Sequence, residues 1–290
     1  MQYAQPQSEI SEIFEELDVL SAQDAKNQIL MQRYKNKAKK IQEIDPVWGY
    51  MILGFISCLE RDIENMHFYY TRALKLRPEL LNVYLNYTGC LSRLGFYSEA
   101  TKYAEKAYNM DRSNKLALDK YIAGALLLGK INHAHYLIQK WNKLCPQEPH
   151  SFYEQIKEAI KIMEKYQLTD EDVQHFFQVA SDFLSQENVY IDSKVFEIQK
   201  DGKEKWIHYE YTLSVSPDEL PALEAELNIR LSELPSKIFD AVEIDIVSSE
   251  PITDKPKGMT EIILANDGLM ESIRIAQEEM REGLLIPVIN

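Results

Sequence analysis

The chain has 290 residues, enough for two domains of ordinary size, with 45% hydrophobic residues, 27% charged residues and 10 glycines. That balance excludes a disordered or fibrous chain, and no run approaches the ~18 apolar residues of a membrane span. The net charge of −14 is uneven: residues 1–168 carry 22 Lys/Arg against 20 Asp/Glu, and residues 169–290 carry 10 against 26. The acidic half is expected to repel nucleic acid and to attract a basic partner, or else to serve as a solubilising surface.

The start, Met1 to Pro6, lacks the basic and apolar regions of a secretory signal. Cys58, Cys90 and Cys145 are odd in number, widely spaced and form no CxxC. They fit a reducing, cytoplasmic setting and read as small buried apolar residues rather than disulfide or zinc partners.

In chain order, residues 9–21 and 24–43 read as a helix pair, with Ile10, Ile13, Phe14, Leu17 and Leu20 on one stripe. Residues 1–46 are therefore expected to form a degenerate or capping unit. Residues 47–148 repeat with a period of 34, in blocks that begin at Val47, Leu81 and Lys115. Tyr50, Tyr84 and Leu118 correspond, as do Leu53, Tyr87 and Tyr121, and Gly54, Thr88 and Ile122. In the second half of each unit Met66, Ala100 and Ala134 correspond, as do Tyr70, Ala104 and Ile138, and Ala73, Ala107 and Trp141. Pro78, Arg112 and Pro146 close the units. A fixed period of this length predicts stacked helix–turn–helix units. Gly95 and Gly129 fall at the turn inside a unit, where positive φ is needed.

These marks resemble the tetratricopeptide repeat family over about residues 47–148. The match is carried by Leu53-Gly54, Tyr70, Ala73 and Pro78, by Gly95, Ala100 and Ala107, and by Gly129, Ala134 and Pro146. Met66, Trp141 and Arg112 depart from the family pattern. The resemblance implies a right-handed α-solenoid whose first helices line an inner groove. There it places Trp48, Met51, Phe55, Leu85, Asn86, Leu116, Lys120 and Ala123 as the partner-binding residues. One subclass grips a C-terminal carboxylate with Lys and Asn residues. Asn86 and Lys120 match that pattern, whereas Met51, Phe55 and Leu116 replace its polar members. The resemblance thus implies an apolar groove for an extended peptide or a helix. The alternative is that these side chains pack on chain neighbours, the N-terminal helix among them.

Phe152, Ile156, Ile160 and Met163 predict a helix over about 150–167, so residues 149–168 are expected to cap the stack. Thr169 to Asp172 resembles a capping box opening a helix to Gln186. Strands are predicted over 189–199 and 204–215, joined by a two-residue turn signalled by Asp201-Gly202. Ile207, Tyr209, Tyr211, Leu213 and Val215 face one way, and Trp206, His208, Glu210, Thr212 and Ser214 the other. Ser216-Pro217-Asp218-Glu219 reads as a helix start, followed by a Leu220, Leu223, Leu227, Leu231 stripe. A third strand is predicted over 240–248, with Val242, Ile244 and Ile246 inward. A linker at 251–258, a short strand at Glu261–Ala265 and an amphipathic helix from Asp267 to Glu282 follow. The expected fold is mainly α: a solenoid, then a small acidic α+β domain, 169–250, in the order α-β-β-α-β-β-α with the last two elements in 251–290. The last 30 or so residues are also distantly similar to the toxin-wrapping helices of bacterial antitoxins.

No glycine-rich phosphate loop, GxSxG, HExxH or DxDxDG is present. His133 and His135, two apart on a helix, make a poor metal pair. His208 and Glu210 share a strand face and form the one candidate acid–base pair, with a surface ladder as the plainer account. Lys35, Lys37, Lys39 and Lys40 read as a solvated helix face, or as a contact for the acidic half. Catalytic residues, metal and cofactor are not expected. The reading is a cytoplasmic, chaperone-like scaffold that holds a peptide or helix of another protein, with oligomeric state open. The alternative is an acidic regulator that neutralises a basic partner through residues 169–290.

Overall fold

The computed structural model describes residues 5–20, 22–187, 189 and 191–249, which fall within one compact unit. The expected linker, short strand and terminal helix of residues 251–290 lie outside the described residues.

Helix α1 (Gln5–Asp18), the single turn α2 (Ala22–Ala25) and α3 (Gln28–Ile44) form the N-terminal layer. The second helix of this pair starts later than its apolar pattern suggests. Asn27 accepts hydrogen bonds from the N–H groups of Ile29 and Leu30, both at 3.1 Å, and fixes the start there. Ile10, Ile13 and Leu17 of α1 and Met31, Tyr34, Ala38 and Ile41 of α3 share a buried cluster with Ile52, Leu53 and Ile56.

The repeats follow as three helical hairpins: α4 (Pro46–Leu59) with α5 (Ile63–Leu76), α6 (Leu81–Arg93) with α7 (Tyr97–Met110), and α8 (Lys115–Leu127) with α9 (Ile131–Leu144). The second helices begin 34 residues apart. Each hairpin packs on the next, which makes a solenoid-like stack. Small residues let the helices cross closely. A Cβ on Gly54 would lie 2.8 Å from the Tyr70 ring, and one on Gly124 would lie 2.5 Å from Thr101 Oγ1. All three cysteines are buried free thiols.

Helix α10 (Tyr153–Tyr166) packs on α9 and on the sheet, and α11 (Asp170–Gln186) opens with the expected capping box between Thr169 and Asp172. Strands β1 (Ile191–Asp201) and β2 (Glu204–Leu213) pair antiparallel. The turn between them is Gly202-Lys203, one residue later than Asp201-Gly202, because Asp201 pairs with Glu204 and Gly202 takes φ +56°. Helix α12 (Leu220–Leu231) then crosses to β3 (Val242–Ser248), which pairs parallel to β2. The Ser216 signal makes a turn rather than a helix start. The Glu219 carboxylate accepts from Ser216 N–H at 3.1 Å, and the helix begins at Leu220.

Buried residues on both sides of 168/169 belong to one cluster. It runs from Ala104 and Leu118 of the repeats through Phe176, Phe177 and Tyr209 to Val242. The docking follows the repeat period. Residues 61, 95 and 129 stand 34 apart, and all have positive φ: +57° at Arg61, +82° at Gly95 and +71° at Gly129. Arg61 forms an ion pair with Asp192 and donates to Ser214 Oγ at 3.4 Å. A Cβ on Gly95 would lie 2.6 Å from the Ile191 carbonyl oxygen, and one on Gly129 would lie 2.7 Å from the Phe177 ring. The three inner turns of the stack thus form one ridge against α11 and β1.

Candidate partner-binding cleft

The first helices of the hairpins and α1 enclose a cleft of about 330 Å³. From the repeats it takes Phe55, Leu85, Asn86, Gly89, Leu116 and Lys120, and from α1 Phe14, Glu15 and Asp18. Five of the sequence-derived groove residues therefore meet: Phe55 on α4, Leu85 and Asn86 on α6, and Leu116 and Lys120 on α8.

The other three stand elsewhere. Trp48 is half-buried against Phe14, with ring centroids 6.3 Å apart and edge-on. Ala123 is half-buried and not part of the lining. Met51 is fully buried with Val47, Cys58, Met66 and Tyr70. Helix α4 packs against α1, α3, α5 and α6, and Met51 clusters with residues of α5 and α6. On a helix as apolar as Pro46–Leu59 most faces are buried, and of its sequence-derived groove residues Phe55 alone reaches the cleft.

The N-terminal end of this face is occupied by the chain itself. Phe14 meets Phe55 edge-on at 6.0 Å as well as Trp48. The Arg93 guanidinium lies 5.7 Å from the Phe55 ring centroid and 3.7 Å from Asp18. That pair is exposed and contributes little by itself, so the rings and the buried stripe of α1 dominate. Phe14 belonged to the apolar stripe legible in the sequence, whereas Glu15, Asp18 and Arg93 carried no signal for the cleft.

Beyond α1 the cleft stays open. Leu116 is 51% exposed at its rim. Asn86 donates from Nδ2 to the Asn82 carbonyl at 2.9 Å, so one of its polar groups is already engaged along its own helix. A Cβ on Gly89 would lie 3.8 Å from Lys120 Nζ, and Gly89 leaves that approach clear. The site can offer apolar contact, one cation and two carboxylates. It holds no nucleophile beside a base.

The other candidates resolve as structural. His133 Nε2 meets the Tyr121 hydroxyl at 2.9 Å, and burial together with Lys130 lowers its pKa. His208 does not pair with Glu210. It is 5% exposed and lies between Glu197 at 3.1 Å, its partner across the ladder on β1, and Asp245 at 3.0 Å, two residues beyond its β3 partner Glu243. Lys35 pairs with Glu60 at 2.7 Å and Lys37 with Glu16 at 3.1 Å, both within the N-terminal half. Among the described residues no group of three or more His, Cys, Asp or Glu is arranged to hold a metal, and no helix is long and apolar enough to cross a membrane.

No protein-family model matches the chain, and no curated protein matches it.

Proposed function

We propose that the chain is a non-catalytic scaffold whose helical repeats, of tetratricopeptide type, hold an amphipathic helix or peptide of another protein. The observation that carries this reading is the seat of α1. Phe14 lodges edge-on against Trp48 and Phe55, at one end of a cleft that continues open through Leu85, Leu116 and Lys120. The repeat face already accepts one amphipathic helix, and a partner helix would extend along the same apolar line. The Lys120 ammonium favours an acidic residue in that partner. The buried thiols suit a reducing compartment such as the cytoplasm.

The test is a photo-crosslinking residue at position 116 of the full chain, with position 29 of α3, 85% exposed and away from the cleft, as control. The expected result is light-dependent adducts with a protein from position 116 that Lys120→Glu diminishes. Equal adducts from both positions, or none from 116, would sink the reading.

A second reading rests on the outer sheet face, where Glu197, Glu210, Glu243 and Asp245 gather around His208 and Trp206. It suits a basic protein surface. Binding that weakens steeply with salt and is lost in Glu210→Lys favours it over the cleft.

A further inference from the structure

A second and larger cavity, about 810 Å³, lies between the α6–α7 turn, the start of α7, α11 and β1. It shares no residue with the cleft, and its volume is in the range of small-molecule sites.

Two features of its wall stand out. The first is Lys194, on the inner face of β1 and paired across the ladder with Tyr211. Its ammonium is surrounded by rings, at 4.2 Å from the Tyr211 centroid, 5.1 Å from Tyr97 and 5.9 Å from Phe177. Among the described residues no carboxylate pairs with it. Burial lowers its pKa to about 8. Lys194 is half-buried; a cation partly withdrawn from water without a counter-charge is costly, and an anion entering the cavity would relieve that cost.

The second feature is the N-terminus of α7. Asp62 caps α5, its carboxylate accepting from Asn65 N–H at 3.1 Å. Asp170 of α11 caps α9, accepting from Asn132 N–H at 2.8 Å and from His133 N–H at 3.1 Å. At the same place in the middle repeat, Phe96 supplies no side-chain cap, and the first-turn residues Ser98 and Glu99 border the cavity instead. Lys102 and Lys106 stand one turn apart on the same wall. The single acid of the lining is Glu99, whose negative charge adds to burial in raising the Tyr87 pKa.

We propose that this cavity is a binding site for a small phosphate-bearing ligand, its anionic group held between the α7 N-terminus and Lys194. The ligand takes the place in the middle repeat that Asp62 and Asp170 fill in the flanking ones. Backbone N–H groups at a helix start supply directional donors, and lysines supply charge. The aromatic and aliphatic remainder of the wall, Phe96, Tyr103 and Leu184 among it, would receive an apolar body on the phosphate.

The experiment titrates the full chain with inorganic phosphate and with phenyl phosphate at constant ionic strength. Calorimetry and the ¹³C signal of reductively methylated Lys194 are the readouts. Saturable binding that raises the Lys194 titration midpoint is expected, with phenyl phosphate tighter than phosphate if the natural ligand is an ester, and equal if it is the free ion. Lys194→Met keeps the stem and its ring contacts and should weaken binding roughly tenfold or more. Ser98→Pro removes one N–H where the first helical turn tolerates proline and should weaken it severalfold. Circular dichroism checks that both variants fold. No saturable binding of either probe up to about 10 mM, or binding that neither substitution changes, would overturn the proposal.

Discussion

The Tyr209 hydroxyl donates to the Leu126 carbonyl oxygen at 2.8 Å, joining the middle strand of the sheet to the last turn of α8 across 83 residues of sequence. Its neighbour on the same strand face, Tyr211, is equally buried, yet its hydroxyl has no hydrogen-bond partner. Both side chains fill core space, but one alone serves as a tie.

Tyr209→Phe is therefore expected to destabilise the chain by about 1 kcal/mol, the net value of one buried hydrogen bond. Leu126 keeps the bond from Gly129 N–H, which limits the loss. Tyr211→Phe removes an unpaired polar atom and is expected to be neutral or stabilising. Urea unfolding of the two variants, at unchanged m value, checks the contrast.

Gly95→Ala and Gly202→Ala separate packing from backbone conformation. Both glycines have positive φ, but a Cβ on Gly202 meets nothing within 4 Å, whereas one on Gly95 lies 2.6 Å from a backbone oxygen. Gly202→Ala is expected to cost about 1 kcal/mol, from left-handed strain alone. Gly95→Ala is expected to cost at least about twice that, because β1 must move away. Similar losses in thermal unfolding would refute the close approach.

Asp170→Ala removes a cap that one helix lends to another. The N–H groups of Asn132 and His133 would lose their acceptor, a change worth about 1 kcal/mol. Asp170→Asn retains an acceptor oxygen and should lose less. Hydrogen exchange at residues 132 and 133 is the direct measurement, and unchanged protection in Asp170→Ala would contradict the trans cap.

Lys194 sets a pH dependence of defined sign. Its folded pKa, lowered to about 8 by burial, lies below the ordinary 10.5. Between those values the unfolded chain holds the extra proton, so stability rises with pH across about 8 to 10.5 and this contribution is flat below. Lys194→Met is expected to stabilise the chain at neutral pH and to erase the rise. The difference in melting temperature between wild type and variant, followed across that window, isolates this group from the other titrating lysines and tyrosines.

How far the sequence could be read follows from which forces act locally. The 34-residue period places α4 to α9 closely, because each hairpin repeats the same packing against its neighbour. Alternation in β2 likewise assigns Ile207, Tyr209, Tyr211 and Leu213 to the buried face. The burial of Met51 is legible too, in the apolar run of α4, although the family resemblance assigns it to the groove. Arg61 left a fainter trace. It falls 34 residues before Gly95 but is not glycine, so the turn it makes was hidden by its side chain. What no single element reveals is docking. The contacts of Arg61, Gly95 and Gly129 with α11 and β1 depend on partners about 40 to 130 residues away, and neither periodicity nor capping reports on those.

The ridge of three turns has a mechanical consequence. A solenoid joined only through successive units flexes like a spring and can fray from either end. Here α11 and β1 run along the rungs as a rail, fixed at Arg61, Gly95 and Gly129. Tension applied to the ends must shear that rail before any rung can yield, so the array should respond as a beam and fail in one step.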